Sequence, residues 1–180
     1  PELVTRIVPR QSSSAFLTAR FTYTGESRLS SGELRIYVDG RYGGITRISA
    51  MNRNAEVVLP MGVDPSIQMT STNQGGEKGS KGLLGKRQQE TTDYLFSITN
   101  RRASAALIEV LDRIPVAVDR SVKVSVPESA TPPAETDIDN VRGTVAWRRT
   151  LEPDEPWKIS HRYTLSYPAD KELVRRVVRN

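Results

Sequence analysis

Apolar and polar residues alternate along most of this chain, a spacing that predicts β-strands with one buried face. The stretch 94–126 shows the pattern three times, separated by turns, with apolar side chains at every second position: Tyr94, Phe96 and Ile98, then Ala106, Ile108 and Val110, then Val122, Val124 and Val126. Half-buried strands need a second layer to cover them, so we expect the rest of the chain to pack around this stretch.

Residues 34–48 predict a β-hairpin. Leu34, Ile36 and Val38 share one face of the first strand, and the Asp39-Gly40 dipeptide that follows favours the positive φ of a tight turn. Gly43 and Gly44 in the return strand supply no side chain for packing. They therefore indicate a bulge or a close approach of two backbones.

The segment 157–167 carries the most regular strand pattern, since every odd position is apolar or aromatic except His161. His161 is the only histidine of the chain and so its only ordinary general base near neutral pH. Its place on an aromatic face favours a half-buried packing role over a catalytic one. No second histidine and no cysteine is present to complete a metal site or a nucleophile pair.

Together these patterns predict an all-β fold of antiparallel sheets, with an immunoglobulin-like β-sandwich in the second half and an additional β-hairpin subdomain in the first half. We expect a β-rich subdomain over 1–72, a flexible Gly/Lys-rich loop over 73–92, the sandwich over 93–168 and a basic C-terminal tail over 169–180. For 73–92 the composition allows either a mobile loop or a long excursion of two strands. The tail allows a short basic helix or a loose end.

Composition and charge limit the classes of partner and binding site that we expect for this chain. The chain has 180 residues and a formal net charge of +5. It has no cysteine, which excludes disulfides and thiolate metal sites. Its basic side chains are dispersed over 78–87, 148–149 and 175–179, as is typical of a solvated surface, so we expect no nucleic-acid partner. No apolar run is long enough to span a membrane, and the start at Pro1 suggests a processed boundary.

Two ligand motifs are incomplete. A phosphate-binding loop at 79–86 would need Ser or Thr after its lysine, where Arg87 stands. Asp137, Asp139 and Asn140 are residue types that bind hard cations, but their spacing lacks the glycine and terminal glutamate of an EF-hand. We therefore expect no cofactor and no metal, and interpret 127–140 as a solvated loop.

Two main functions stay open. The leading hypothesis is a non-enzymatic module whose loops and strand edges bind a protein or a glycan. The competing one is a polysaccharide hydrolase with two paired carboxylates, for which the candidates are Glu109, Asp112, Asp64 and Asp119. The ordinary expectation for each of these four is a surface or capping role. A third option is homo-oligomerisation through exposed sheet edges.

Several phrases spread over most of 1–168 resemble the C-terminal domain of the mucoidy-inhibitor A (MuiA-like) family, a bacterial domain of unknown function. They are residues 15–19, 37–44, 61–65, 84–87, 94–100 and 112–116, Trp147 with 151–153, and Tyr167-Pro168. The chain departs from that family by lacking its preceding N-terminal domain, coiled coil and first part of the C-terminal domain, and by Glu155 where a turn glycine is common.

This resemblance implies a bacterial cell-envelope location, in the periplasm or at the surface, and a link to exopolysaccharide production. It carries no established catalytic residues, so none are assigned. Separately, residues 94–115 are similar to the immunoglobulin-like repeats of bacterial surface proteins, which implies the same two-sheet fold for the second half.

Overall fold

The chain folds into β-sheets. The computed structural model describes residues 1–38, 40–76, 78–81 and 87–173, and within them there is one short 3-10 helix (Ile138–Asn140) and no α-helix. The predicted all-β class is therefore confirmed. The strands are β1 (Glu2–Ile7), β2 (Ala15–Thr22), β3 (Gly32–Val38), β4 (Arg41–Ile48), β5 (Glu56–Val63), β6 (Ile67–Asn73), β7 (Lys78–Lys81), β8 (Arg87–Asn100), β9 (Ala106–Arg113), β10 (Lys123–Ser125), β11 (Glu135–Thr136), β12 (Thr144–Leu151) and β13 (Pro156–Pro168).

Two large sheets and one hairpin account for these strands. The six-stranded sheet has the order β11-β12-β9-β1-β2-β5, and the five-stranded sheet has β10-β13-β8-β6 with β7 also paired to β8. All described pairings are antiparallel except β1 with β9, which run parallel. Strands from 1–72 lie beside strands from 93–168 in both sheets, so the two predicted segments do not have separate sheets.

A single hydrophobic core joins the two sheets. Phe96 and Ile98 of β8 and Ile108 and Val110 of β9 are fully buried in one cluster that takes side chains from both layers. The apolar faces predicted for these two strands are confirmed. The third predicted face is only partly buried, with Val126 49% exposed, because β10 is a three-residue strand at the sheet edge. The two-layer arrangement is present, whereas its immunoglobulin-like character stays a prediction.

The predicted hairpin is formed by β3 and β4. Ile36 pairs with Gly44 and Tyr37 with Tyr42, so Gly43 is the extra residue of a bulge. A Cβ atom built on Gly62 of β5 would lie 3.9 Å from the carbonyl oxygen of Gly43. The bulge is therefore confirmed, whereas the 3.9 Å separation is an ordinary van der Waals contact and does not establish a close backbone approach. Asp39 of the predicted turn lies outside the described residues.

The Gly/Lys-rich segment contains a strand pair. Residues 78–81 of β7 pair with Arg87–Glu90 at the start of β8, which is the second of the two options that the composition allowed. Arg87 donates to the hydroxyl of Ser166 at 2.9 Å and to the carbonyl oxygen of Ser121 at 2.9 Å. It therefore holds strands together rather than serving a phosphate loop. Residues 77 and 82–86 lie outside the described residues.

The C-terminal tail begins after β13. The structure describes it to residue 173, so the choice between a basic helix and a loose end falls outside the described residues. In the described part of the chain, no helix has the length and apolar character needed to cross a lipid bilayer.

Candidate functional site

The four carboxylates that the sequence singled out do not converge. Glu109 and Asp112 lie three positions apart on β9 and therefore face opposite sides of the sheet. Each of the four carboxylates pairs with a different basic side chain: Asp64 with Arg102, Glu109 with Arg6 and Arg148, Asp112 with Arg10, and Asp119 with Lys171. A glycosidase pair would instead flank one open groove.

Glu109 is the centre of a buried ion cluster on the outer face of the six-stranded sheet. The register places Arg6 of β1 and Arg148 of β12 directly beside it, on the two neighbouring strands. Each donates to one carboxylate oxygen at 2.7 Å, and an Arg20 nitrogen lies 3.6 Å away. Glu109 is only 1% exposed, so the expectation of a surface or capping role was wrong for this residue.

The electrostatics of this cluster favour the charged form of Glu109. Burial opposes its ionisation, but hydrogen bonds and charge from Arg148 and Arg6 outweigh that effect and hold the pKa of Glu109 below its ordinary value. Arg148 has its own pKa raised, chiefly by its hydrogen bond to Glu109. The carboxylate of Glu109 is therefore fully engaged in ion pairs, and the cluster is a structural centre.

Asp112 lies on the inner face of the same strand, near its end. It accepts hydrogen bonds from Arg10 Nε at 2.8 and 2.9 Å and from the backbone N–H of Arg113 at 2.6 Å. The Arg10 guanidinium also lies over the Tyr94 ring, 5.8 Å from its centroid. Although burial works against the charge, hydrogen bonding and the negative charge of Asp112 raise the pKa of Arg10.

His161 packs beside this pair as part of an aromatic cluster. It is 2% exposed, and its ring centroid lies 5.8 Å from Phe96, 5.4 Å from Trp147 and 5.6 Å from Tyr163. Its Nε2 is 3.8 Å from an Asp112 oxygen and has no hydrogen-bond partner within the described residues. Burial lowers the pKa of His161; the negative charge of Asp112 opposes this shift and Arg10 adds to it, and the net lowering favours the neutral ring.

The packing interpretation of His161 agrees with this geometry, although the side chain is buried rather than half-buried. A ring with 2% exposure does not reach a substrate in solvent. The sequence placed His161 on the aromatic face correctly. Nothing in the sequence indicated that Asp112 would lie next to it.

Asp64 and Asp119 each cap a turn by accepting a backbone N–H, in agreement with the capping role expected for them. Asp64 accepts from the backbone N–H of Ser66 at 3.2 Å and from the Thr5 hydroxyl at 3.1 Å, and it pairs with Arg102. Asp119 accepts from the N–H of Ser121 at 2.8 Å, which together with the Lys171 ammonium lowers its pKa to about 2. Both carboxylates are thereby engaged in hydrogen bonds and ion pairs that hold their turns in place.

The loop with the candidate cation ligands forms a turn. Asp137 has a φ of 55°, and its carboxylate accepts from the N–H of Gly143 at 2.6 Å. The side chain of Asp139 lies outside the described residues. Across the residues that the structure describes, no group of three or more His, Asp or Glu side chains is arranged to hold a metal ion.

One surface has the features of a binding site, and we call it the hairpin face. The cross-strand register places its members on one side of β3–β4, and all are exposed: Glu33, Arg35, Tyr37, Tyr42, Ile45 and Arg47. Tyr37, Tyr42 and Ile45 are 57%, 58% and 56% exposed. The two tyrosine rings lie 5.7 Å apart at an interplanar angle of 64°. The opposite side of the ribbon carries Leu34 and the buried Ile36.

Sequence reasoning did not single out this surface. It placed Leu34 and Ile36 on one face of the first strand, and simple alternation then places Arg35 and Tyr37 on the other face. What the sequence did not supply was the position of Tyr42. The bulge at Gly43 shifts the register by one residue and brings Tyr42 opposite Tyr37.

The fold and this surface define an all-β domain with two packed sheets and an exposed aromatic hairpin. The chain belongs to the family described as "Domain of unknown function (DUF4139)", whose model matches residues 1–169. It is also similar to the Caenorhabditis elegans protein F37C4.5, with 24% identity over 178 residues, which cover 92% of this chain and 31% of that protein. The chain thus spans about a third of the length of this relative. No solved structure matches it significantly.

Proposed function

We propose that this domain is a non-enzymatic interaction module and that the hairpin face is its binding surface. The observation that carries the proposal is the exposure of Tyr37, Tyr42 and Ile45 on one side of a ribbon whose other side rests on the protein. Tyrosine and arginine are enriched at the energetic centres of protein interfaces. An exposed cluster of these residue types therefore favours recognition of a partner.

The stability of the hairpin supports the same proposal. A two-stranded ribbon is marginally stable in water unless a further surface covers it. Among the side chains described on β3 and β4, Ile36 alone is buried. Binding a partner on the hairpin face would remove three large apolar side chains from water and stabilise the ribbon.

The buried acids support a non-enzymatic role because their side chains are already engaged in stabilising the fold. Asp64, Glu109 and Asp112 are each buried against an arginine, and each serves a different part of the fold. A catalytic acid or base needs contact with the reacting atoms and a pKa near the working pH. The lowered pKa of Glu109 is the reverse of what a general acid requires.

The cellular setting is also a proposal. The resemblance to MuiA-like proteins supports a place in the bacterial cell envelope, with a protein or glycan partner and a link to exopolysaccharide production. The similarity to a protein of Caenorhabditis elegans means that this setting does not extend to every relative. Fractionation of the source cells would test it, since the proposal requires recovery of the protein with the envelope.

A photo-crosslinking experiment tests the binding surface. A benzophenone amino acid replaces Tyr42 of β4 in the full-length protein in its native cells. In a matched variant it replaces Val118, which is 95% exposed on a loop outside the hairpin. We expect a discrete crosslinked species from position 42 only. Equal adducts at both positions, or none at position 42, would refute the proposal.

A further inference from the structure

We infer that the hairpin face recognises an extended protein segment that carries an acidic side chain two positions from an apolar one. This inference rests on the proposed function and adds the chemistry of the partner. Three features of β3–β4 carry it: an uncompensated arginine, a ridge of apolar side chains and an open strand edge.

The charge on the face is asymmetric. Glu33 and Arg47 lie opposite each other and pair at 3.4 Å, so they compensate one another. Arg35 lies two positions from Glu33, opposite Ile45, and no described carboxylate lies within ion-pair distance of it. The complement of a single exposed guanidinium is a carboxylate on the partner, which Arg can bind through two parallel hydrogen bonds.

The apolar groups favour a protein over a glycan. A sugar ring stacks on one flat aromatic platform and uses its hydroxyls for hydrogen bonds. The rings of Tyr37 and Tyr42 are inclined at 64° to each other, so they form a ridge rather than a shared plane. Ile45 extends that ridge with an aliphatic group, which matches apolar side chains and offers a sugar no hydrogen bond.

The edge of β3 supplies the geometry. Among the described strands β3 pairs with β4 alone, so the N–H and C=O groups along its other side are open to an added strand. A segment paired to this edge would place every second side chain on the hairpin face. A residue opposite Arg35 and a residue opposite Tyr37 are then two positions apart, which predicts the acidic and apolar pattern.

Selection of random peptides displayed on phage tests this pattern. We expect the unaltered chain to enrich peptides with an acidic residue two positions from an apolar one. The Arg35→Glu variant should exchange that preference for a basic residue at the same place, because the charge of the face is reversed. The Arg53→Glu variant, at an exposed arginine outside the face, should select as the unaltered chain does.

The Tyr42→Ser variant separates this inference from the proposed function. Because Tyr42 packs edge-on against Tyr37, the ring next to the added segment, this variant should bind the enriched peptides about tenfold more weakly while keeping its far-ultraviolet circular dichroism spectrum. Peptides that depend on Tyr42 but ignore the charge at position 35 would refute the acidic pattern and leave the interaction module standing. Failure to enrich any Tyr42-dependent peptide would refute the inference.

Two other occupants are decided by parallel measurements. Binding of a neutral oligosaccharide array that is lost in Tyr42→Ser would overturn the inference in favour of a glycan. A dimer seen by light scattering and dissolved by the same substitution would overturn it in favour of a second copy of this chain. We expect neither result. Both would leave Tyr42 in the binding surface and change only the partner.

Discussion

The two packed sheets and the hairpin use the same alternating pattern with opposite results. In the two packed sheets the inner faces meet in one core, and on the outer face of β9 even Glu109 is matched by arginines from both neighbouring strands. In the hairpin one side is covered, and the other presents Tyr37, Tyr42 and Ile45 to solvent. Stability and recognition are therefore expected to reside in different parts of the molecule, and substitutions can separate them.

The largest loss of stability is expected from the shared core. Phe96 is fully buried and packs against Trp147 of the opposite sheet and His161 of the neighbouring strand β13. Phe96→Ala should lower the free energy of unfolding by about 3 to 5 kcal/mol, measured by urea denaturation. Leu95→Ala, on the outer side of the same strand, is the matched control and should cost less than half as much. A similar loss from both variants would contradict the layered core.

A smaller loss is expected from the ion cluster. Glu109→Gln removes the charge that Arg6, Arg20 and Arg148 surround. It should destabilise the fold by about 2 to 3 kcal/mol, which is below the usual range for breaking a buried ion pair because the arginines are partly exposed. The control is Glu135→Gln, which removes an exposed partner of Arg148 and should change stability by less than about 0.5 kcal/mol. Equal effects in thermal unfolding would argue against a buried centre.

The pH dependence of Glu109 has a definite sign. Because its pKa is lowered in the folded state, its stabilising contribution is complete above its ordinary pKa of about 4.3 and is lost as the pH falls further. Unfolding curves of the unaltered chain and of Glu109→Gln should therefore converge in acid. A gap that stayed constant through that range would contradict the lowered pKa.

His161 gives a smaller effect in a different pH range. Its pKa is lowered on folding, so the neutral ring stabilises the fold above its ordinary pKa of about 6.5, and that contribution declines as the pH falls below that value. His161→Phe keeps the aromatic packing and should change stability at pH 7 by less than about 1 kcal/mol. It should also flatten the pH profile below about pH 6.5, where the unfolded chain begins to bind a proton at His161 and the fold resists it. An unchanged profile would refute the neutral buried ring.

The smallest effect on stability, and the largest on recognition, is expected at the hairpin face. Tyr42→Ser removes a side chain that is 58% exposed and should shift the free energy of unfolding by about 0.5 kcal/mol or less. The same variant should lose the crosslinks and the selected peptides. A strongly destabilised Tyr42→Ser would mean that the ring supports the fold and that the separation drawn above is wrong.

Local patterns were readable from the sequence. The alternation around Phe96, the bulge at Gly43 and the aromatic face that carries His161 depend on residues close in the chain, and the structure confirms them. Such features follow from side-chain period and backbone preference alone. They were sufficient to predict the fold class.

Pairings between distant strands were not readable. Glu109 looked like a surface acid because its partners belong to other strands: Arg6 comes 103 residues earlier, on a parallel neighbour that no local signal indicates. Arg10 and Asp112 are separated by 102 residues in the same way. The segments 1–72 and 93–168 also contribute strands to the same two sheets, and their separation could not be judged from the sequence because sheet order depends on contacts that span the chain.

The central position of β1 has a consequence for synthesis of the protein. In synthesis its sheet neighbour β9 follows only about a hundred residues after β1, as the 103-residue separation of Arg6 and Glu109 records. Until β9 is made, β1, β2 and β5 can form no more than a three-stranded sheet whose β1 edge is unpaired. During that interval the nascent chain exposes an unpaired strand edge, which makes it a natural client for chaperones that shield such edges.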